Sequence, residues 1–114
     1  MSKVRIFLAG ALMAAAVPAA ASTNDYGYIS EPMGMGNGAV LFFMSSSRTT
    51  PASCGSSNPT RWAINATTTT GQSQLSVLMT AYAMHKRIYV NGLGTCSGAI
   101  WSDTETVDWF VVEN

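Results

Sequence analysis

Charge is scarce in this chain. Asp, Glu, Lys and Arg make up only 11% of its 114 residues and the two signs balance, so there is no basic stripe of the kind that phosphate backbones require. Nucleic acid is therefore not an expected partner. Histidine is limited to His85 and cysteine to Cys54 and Cys96. A serine nucleophile needs a base and an orienting acid, and a zinc site needs closely spaced Cys and His ligands; the chain supplies neither set. It also lacks a Gly-x-Ser-x-Gly elbow. The acids Asp25, Glu31, Asp103, Glu105, Asp108 and Glu113 fall on strand ends and one loop, without the spacing of a paired-carboxylate mechanism. The expectation is a protein that is not an enzyme, with no catalytic residue, no metal and no cofactor.

Long apolar runs are also missing after residue 17, so no later segment spans a bilayer, which takes roughly 20 residues. The one sustained run stands at the start. Lys3 and Arg5 precede the apolar stretch Ile6 to Val17, and Pro18 and Ala19-Ala20-Ala21 follow. Two cations, a short apolar stretch and small residues make up the order of a secretory signal peptide, with cleavage expected after Ala21. Residues 1–21 are thus read as a signal peptide of bacterial type and residues 22–114 as one domain, secreted or periplasmic. With Lys3 and Arg5 removed, four basic residues remain against six acidic ones. In an oxidising compartment the two cysteines pair, and Cys54–Cys96 is the only intrachain disulfide available. Closing a loop of that length stabilises by roughly 4 kcal/mol in the chain-entropy model.

Within the mature part, residues 22–24 read as a loose amino terminus and Tyr26-Gly27-Tyr28-Ile29 as a first strand. Glycines at 34, 36 and 38 with Asn37 form a turn signal, because Gly and Asn tolerate positive φ. They link two strands and lead into no helix, which excludes a phosphate loop. The apolar run Ala39 to Met44 reads as a buried central strand. Residues 45–60 are a polar loop around Cys54, and Arg61 to Asn65 is a third strand with Trp62 and Ile64 inward. Leu75, Leu78, Met79 and Tyr82 line one face of a helix over about Gly71 to Met84. Thr69 and Gln72 fit a capping box, and His85 fits a left-handed helix exit. Ile88-Tyr89-Val90 and Thr106 to Val112 are the last two strands, the latter with Val107, Trp109 and Val111 on one face. Three strands, a helix and two strands predict a mainly β fold. The expected form is a five-stranded antiparallel OB-type barrel with the helix between its third and fourth strands. A plain sheet with a helix on one side is the competing layout.

Aromatic rings are the residues best suited to function, since sugar sites combine a flat ring with short polar side chains. Trp62, Tyr82 and Trp109 are expected in the core. Trp101 is expected at the surface, because the polar loop Ser102-Asp103-Thr104-Glu105 follows it.

Cys54 with Trp62 eight positions on, Ala81-Tyr82-Ala83-Met84, Arg87-Ile88-Tyr89-Val90, Gly94-Thr95-Cys96 and Trp101-Ser102-Asp103-Thr104-Glu105-Thr106 together carry a resemblance. Over about residues 26–112 the chain resembles the B subunit of subtilase cytotoxin and its typhoid-toxin relatives, and through the last two pieces it also resembles a wider set of small bacterial exported proteins. The resemblance implies an OB-type domain assembled as a homopentamer, with a glycan on the ring and an enzymatic A-type subunit on the opposite face. Asp25, Tyr26, Tyr28 and Trp101 are the ligand-binding candidates. The family's B subunits carry more cysteines than this chain. They contact sialic acid through a serine and a tyrosine where a rough register places Asp25 and Gly92. An acid at position 25 repels a sugar carboxylate. The alternative reading is an orphan envelope structural or interaction protein that keeps the fold without the sugar site.

Overall fold

The computed structural model describes residues 21–96 and 100–114; the expected signal peptide, apart from Ala21, lies outside the described residues. Among the described residues there are six strands and one α-helix: β1 (Thr23–Gly27), β2 (Ile29–Gly34), β3 (Ala39–Met44), β4 (Arg61–Asn65), α1 (Thr69–Ala83), β5 (Ile88–Gly92) and β6 (Val107–Val112). They form two antiparallel three-stranded sheets, ordered β1-β5-β6 and β2-β3-β4. The fold is mainly β, and the expected count of five strands is corrected to six. The stretch read as one first strand is broken at Tyr28, and its two halves hydrogen-bond to different sheets. The helix accordingly follows the fourth strand. No closed barrel forms among the described residues: no ladder joins β4 to β6, and an isolated parallel bridge links Ala63 of β4 to Thr106, the residue before β6.

The β2–β3 turn follows from its glycines and asparagine. Gly38 has φ 93°, its N–H donates to the Met35 carbonyl at 3.1 Å, and the Asn37 side chain accepts from the Ala39 N–H at 3.1 Å. The apolar run of β3 is explained by burial on both faces. Phe42 and Met44 face the main core with Ile29, Trp62, Ile64, Leu78, Ile88, Val90 and Val107, whereas Ala39 and Leu41 face a smaller cluster with Ala63 and Ile100. β3 is the centre of its sheet, as its composition predicts.

α1 is capped by Thr68, whose hydroxyl accepts from the Gly71 N–H at 3.0 Å, one residue before the expected cap. Its inward stripe is Gly71, Leu78 and Ala81, with Leu75 half-buried. Met79 and Tyr82 are exposed, which corrects the expected apolar face. Small residues lie inward because the helix approaches closely; a Cβ on Gly71 would run into the Asn65 carbonyl. His85 takes φ 54° at the helix exit, as expected, and its ring stacks on Tyr28 at 4.3 Å. That contact ties the helix end to the break between the sheets. Cys54 and Cys96 form the expected disulfide, which anchors the short 3-10 turn Ser53–Gly55 of the long loop.

Candidate functional site

Ordinary alternation along β1 would put only one of Asp25 and Tyr26 on the outer face. Asn24 pairs with Val90 and Gly27 with Ile88, so two residues of β1 oppose the single residue Tyr89 of β5. Such a β-bulge re-aims side chains, and here both Asp25 and Tyr26 are exposed beside Tyr89. The bulge is held from the other side by the chain after β3. The Asp25 N–H donates to the Ser47 carbonyl at 3.2 Å, and the Ser46 hydroxyl donates to the Asp25 carbonyl at 2.6 Å. Gly27 is required at this point because a Cβ would collide with Ser46.

A second bulge acts on β6. The register shifts between Asn91 and Gly92, leaving Asp108 as the extra residue. Val107 therefore turns inward with Phe110 and Val112, while Trp109 and Val111 face out. The expected alternation, with Val107 and Trp109 on one face, is corrected, as is the expected burial of Trp109, which is 46% exposed. The result is a row of rings across β1-β5-β6. Tyr26 and Tyr89 have centroids 5.6 Å apart, and Tyr89 and Trp109 are stacked at 6.0 Å.

Beside this row is a groove of about 350 Å³ lined by Thr23, Asp25, Ser47, Arg48, Thr49 and Tyr89. It joins one ring to short polar side chains and one acid. Arg87 lies at the end of the row with its guanidinium 5.9 Å from the Tyr26 ring and donates to Glu113 at 2.7 Å. Its pKa is raised by that hydrogen bond, and Glu113 is held below the usual carboxylate range by the same contact.

The groove is backed by a buried polar network. Arg48 Nη2 lies 3.5 Å from Glu105 Oε1 with both side chains essentially fully buried, and Nη1 donates to the Pro59 carbonyl at 2.6 Å and the Arg61 carbonyl at 3.1 Å. Burial lowers the Arg48 pKa to about 10 against the opposing pull of Glu105, which leaves the guanidinium charged at neutral pH. Asn24 is also buried. Its amide donates to Ser46 and Ser47, and its carbonyl accepts from Trp62 Nε1 at 3.0 Å. These bonds fix both walls of the groove to the core.

Of the four candidates read from the sequence, Asp25 and Tyr26 are brought together at the bulge. Tyr28 is exposed but turned to His85. Trp101 sits elsewhere, half-buried against the cluster of Leu41, Ala63 and Ile100. Tyr89, Thr23, Ser47 and Thr49 were not singled out. Tyr89 had a signal in its outward position within Ile88-Tyr89-Val90; the small polar residues had none. Among the described residues no group of three His, Cys, Asp or Glu side chains could hold a metal ion, and no helix is long and apolar enough to cross a membrane. No protein-family model, curated protein or solved structure matches this chain.

Proposed function

We propose that this protein is a secreted carbohydrate-binding module of toxin-B-subunit type, and that its sugar site is the groove between Asp25 and Tyr89. The observation that carries the reading is the β1 bulge, which sets an acid and a ring side by side against a second ring. A carboxylate and hydroxyls such as those of Thr23, Ser47 and Thr49 exchange hydrogen bonds with sugar hydroxyls, while Tyr89 and Trp109 offer flat faces to the apolar side of a pyranose. Asp25 favours a neutral sugar over an acidic one. The OB-type interpretation belongs to the same proposal and is supported by the separation of β1 and β2 by Tyr28 alone, as in a single kinked strand, and by the Ala63–Thr106 bridge between the two sheets' segments. Assembly into a homopentamer with an A-type subunit is the corresponding quaternary proposal, checked by native mass spectrometry.

The deciding experiment is a glycan array with the oxidised mature protein. Binding to neutral glycans that is lost in Asp25→Asn and Tyr89→Ala supports the reading; an array without signal removes it. A second reading, the envelope structural or interaction protein, is favoured by a depression of about 410 Å³ between α1 and β6, whose apolar lining is Val77, Ala81, Met84 and Val112 and whose rim includes Lys86 and Glu113. Val77 and Met84 are exposed there. An array without signal, together with a stable assembly that Met84→Lys disrupts, would select that reading.

A further inference from the structure

The first residues of the mature part, expected to be loose, are held in the core. Ala21 is exposed, but Ser22 is fully buried. Its N–H donates to Glu105 Oε2 at 3.3 Å, and its hydroxyl donates to Glu105 Oε1. The same buried carboxylate accepts from the Gly94 N–H at 2.9 Å. Arg48 serves both partners, with Nε donating to the Ser22 hydroxyl at 3.1 Å and Nη2 lying 3.5 Å from Glu105. Room for the carboxylate depends on Gly92, where a Cβ would run into Glu105 and the Trp62 ring. A neutral peptide N–H is a weaker match to a buried carboxylate than a cation, because charge-assisted hydrogen bonds are roughly twice as strong as neutral ones. The small-residue run Ala19-Ala20-Ala21 ends at the bond that leads into Ser22.

We propose that the Ala21–Ser22 peptide bond is the processing site of the chain, and that the amine released there becomes a second cation on buried Glu105, completing the cluster that locks the mature fold. The inference rests on the signal-peptide reading and is independent of the sugar site. Hydrolysis by a leader peptidase consumes one water. The C–N bond breaks, hydroxyl remains on the Ala21 carboxyl carbon, and hydrogen passes to the Ser22 nitrogen, which takes a further proton from solvent to become an ammonium. Cleavage precedes folding, because Ser22 is fully buried in the folded domain; when the chain folds, the Ser22 nitrogen comes within reach of Glu105 Oε2 and delivers the ammonium there. Cleavage one residue later would remove the Ser22 hydroxyl, and cleavage earlier would leave an uncharged amide at the carboxylate. Ser22 leads directly into Thr23, whose N–H donates to the Thr49 hydroxyl at 2.8 Å, so the same anchor sets one wall of the groove.

Intact-mass analysis of the exported protein is expected to give residues 22–114 with both cysteines oxidised; a chain beginning anywhere else overturns the proposal. Acetylation of native mature protein is expected to modify Lys86 while sparing the Ser22 amine until denaturant is added. Labelling of that amine as fast in the native as in the denatured protein overturns it. Two residues added ahead of Ser22 are expected to lower the folding equilibrium constant by about tenfold or more, the scale of a hydrogen bond to a charged group. In Glu105→Gln the same extension is expected to have no further effect, and equal losses in both backgrounds would show that the amine and Glu105 are uncoupled. The acetylation result stands by itself if Glu105→Gln does not fold.

Discussion

The Arg48 guanidinium lies 3.6 Å from the centroid of the Trp62 ring. A buried cation is thus in contact with both a π face and Glu105. Both residues of the ion pair are desolvated, so each depends on its partner far more than a surface pair would.

Arg48→Met removes one partner of this buried ion pair, and is expected to cost about 3–5 kcal/mol in urea unfolding. The double variant with Glu105→Gln should lose less than the sum of the two single losses, because the two side chains are in direct contact. The pH dependence follows from the pKa of Arg48, which burial lowers to about 10, below the ordinary arginine value. Between these values the unfolded chain binds more protons, so this group makes stability rise with pH across that window. It contributes no slope near neutrality.

Gly71→Ala separates local propensity from tertiary contact. Alanine is favoured over glycine inside a helix by about 1 kcal/mol, which by itself would stabilise α1. The added Cβ meets the Asn65 backbone carbonyl, and overpacking of this kind costs about 1–3 kcal/mol. Net destabilisation is expected in thermal or urea unfolding; a raised midpoint would mean that α1 is free to move outward.

Glu113 accepts a hydrogen bond from Arg87, which pulls its pKa below the ordinary value. A depressed carboxylate contributes stability above its unfolded pKa and loses that contribution as pH falls through its folded one. The effect therefore belongs to the acid range. In an NMR titration Glu113 is expected to titrate below a free glutamate, and Arg87→Ala should return it upward.

Tyr89→Ala is expected to weaken glycan binding by about tenfold or more, the scale of a lost aromatic contact and its buried area, with far-UV circular dichroism unchanged. Trp109→Ala should weaken it less, since Trp109 lies outside the lining of the groove. Trp101→Ala should leave binding intact and lower stability instead, because Trp101 is packed against Leu41 and Ala63. Isothermal titration with the same sugar separates the three outcomes.

Much of the fold was legible from residue order. The run Ala39 to Met44 marked a strand buried on both faces, Asn37-Gly38 marked a turn, the helix spacing marked α1, and His85 marked its left-handed exit. The candidate site was only half legible. Asp25 and Tyr26 stood out as an acid and a ring, but nothing local to them indicated that both point outward, and Tyr89 looked like any strand tyrosine. Trp101 was read as exposed because polar residues follow it, yet it packs against a cluster that includes Leu41 and Ala63 from two other strands.

The sequence by itself determined the short strands, the helix and the cystine-closed loop of the described residues, because turn chemistry, apolar periodicity and cysteine count are properties of neighbouring residues or of composition. Tertiary structure alone decided where one strand becomes two, which residues the bulges turn outward, and that Ser22 and Glu105 meet. A bulge is a mismatch in length between two strands, and a buried ion cluster joins segments more than 80 positions apart. Neither is written in any one segment, since each depends on which backbone lies opposite.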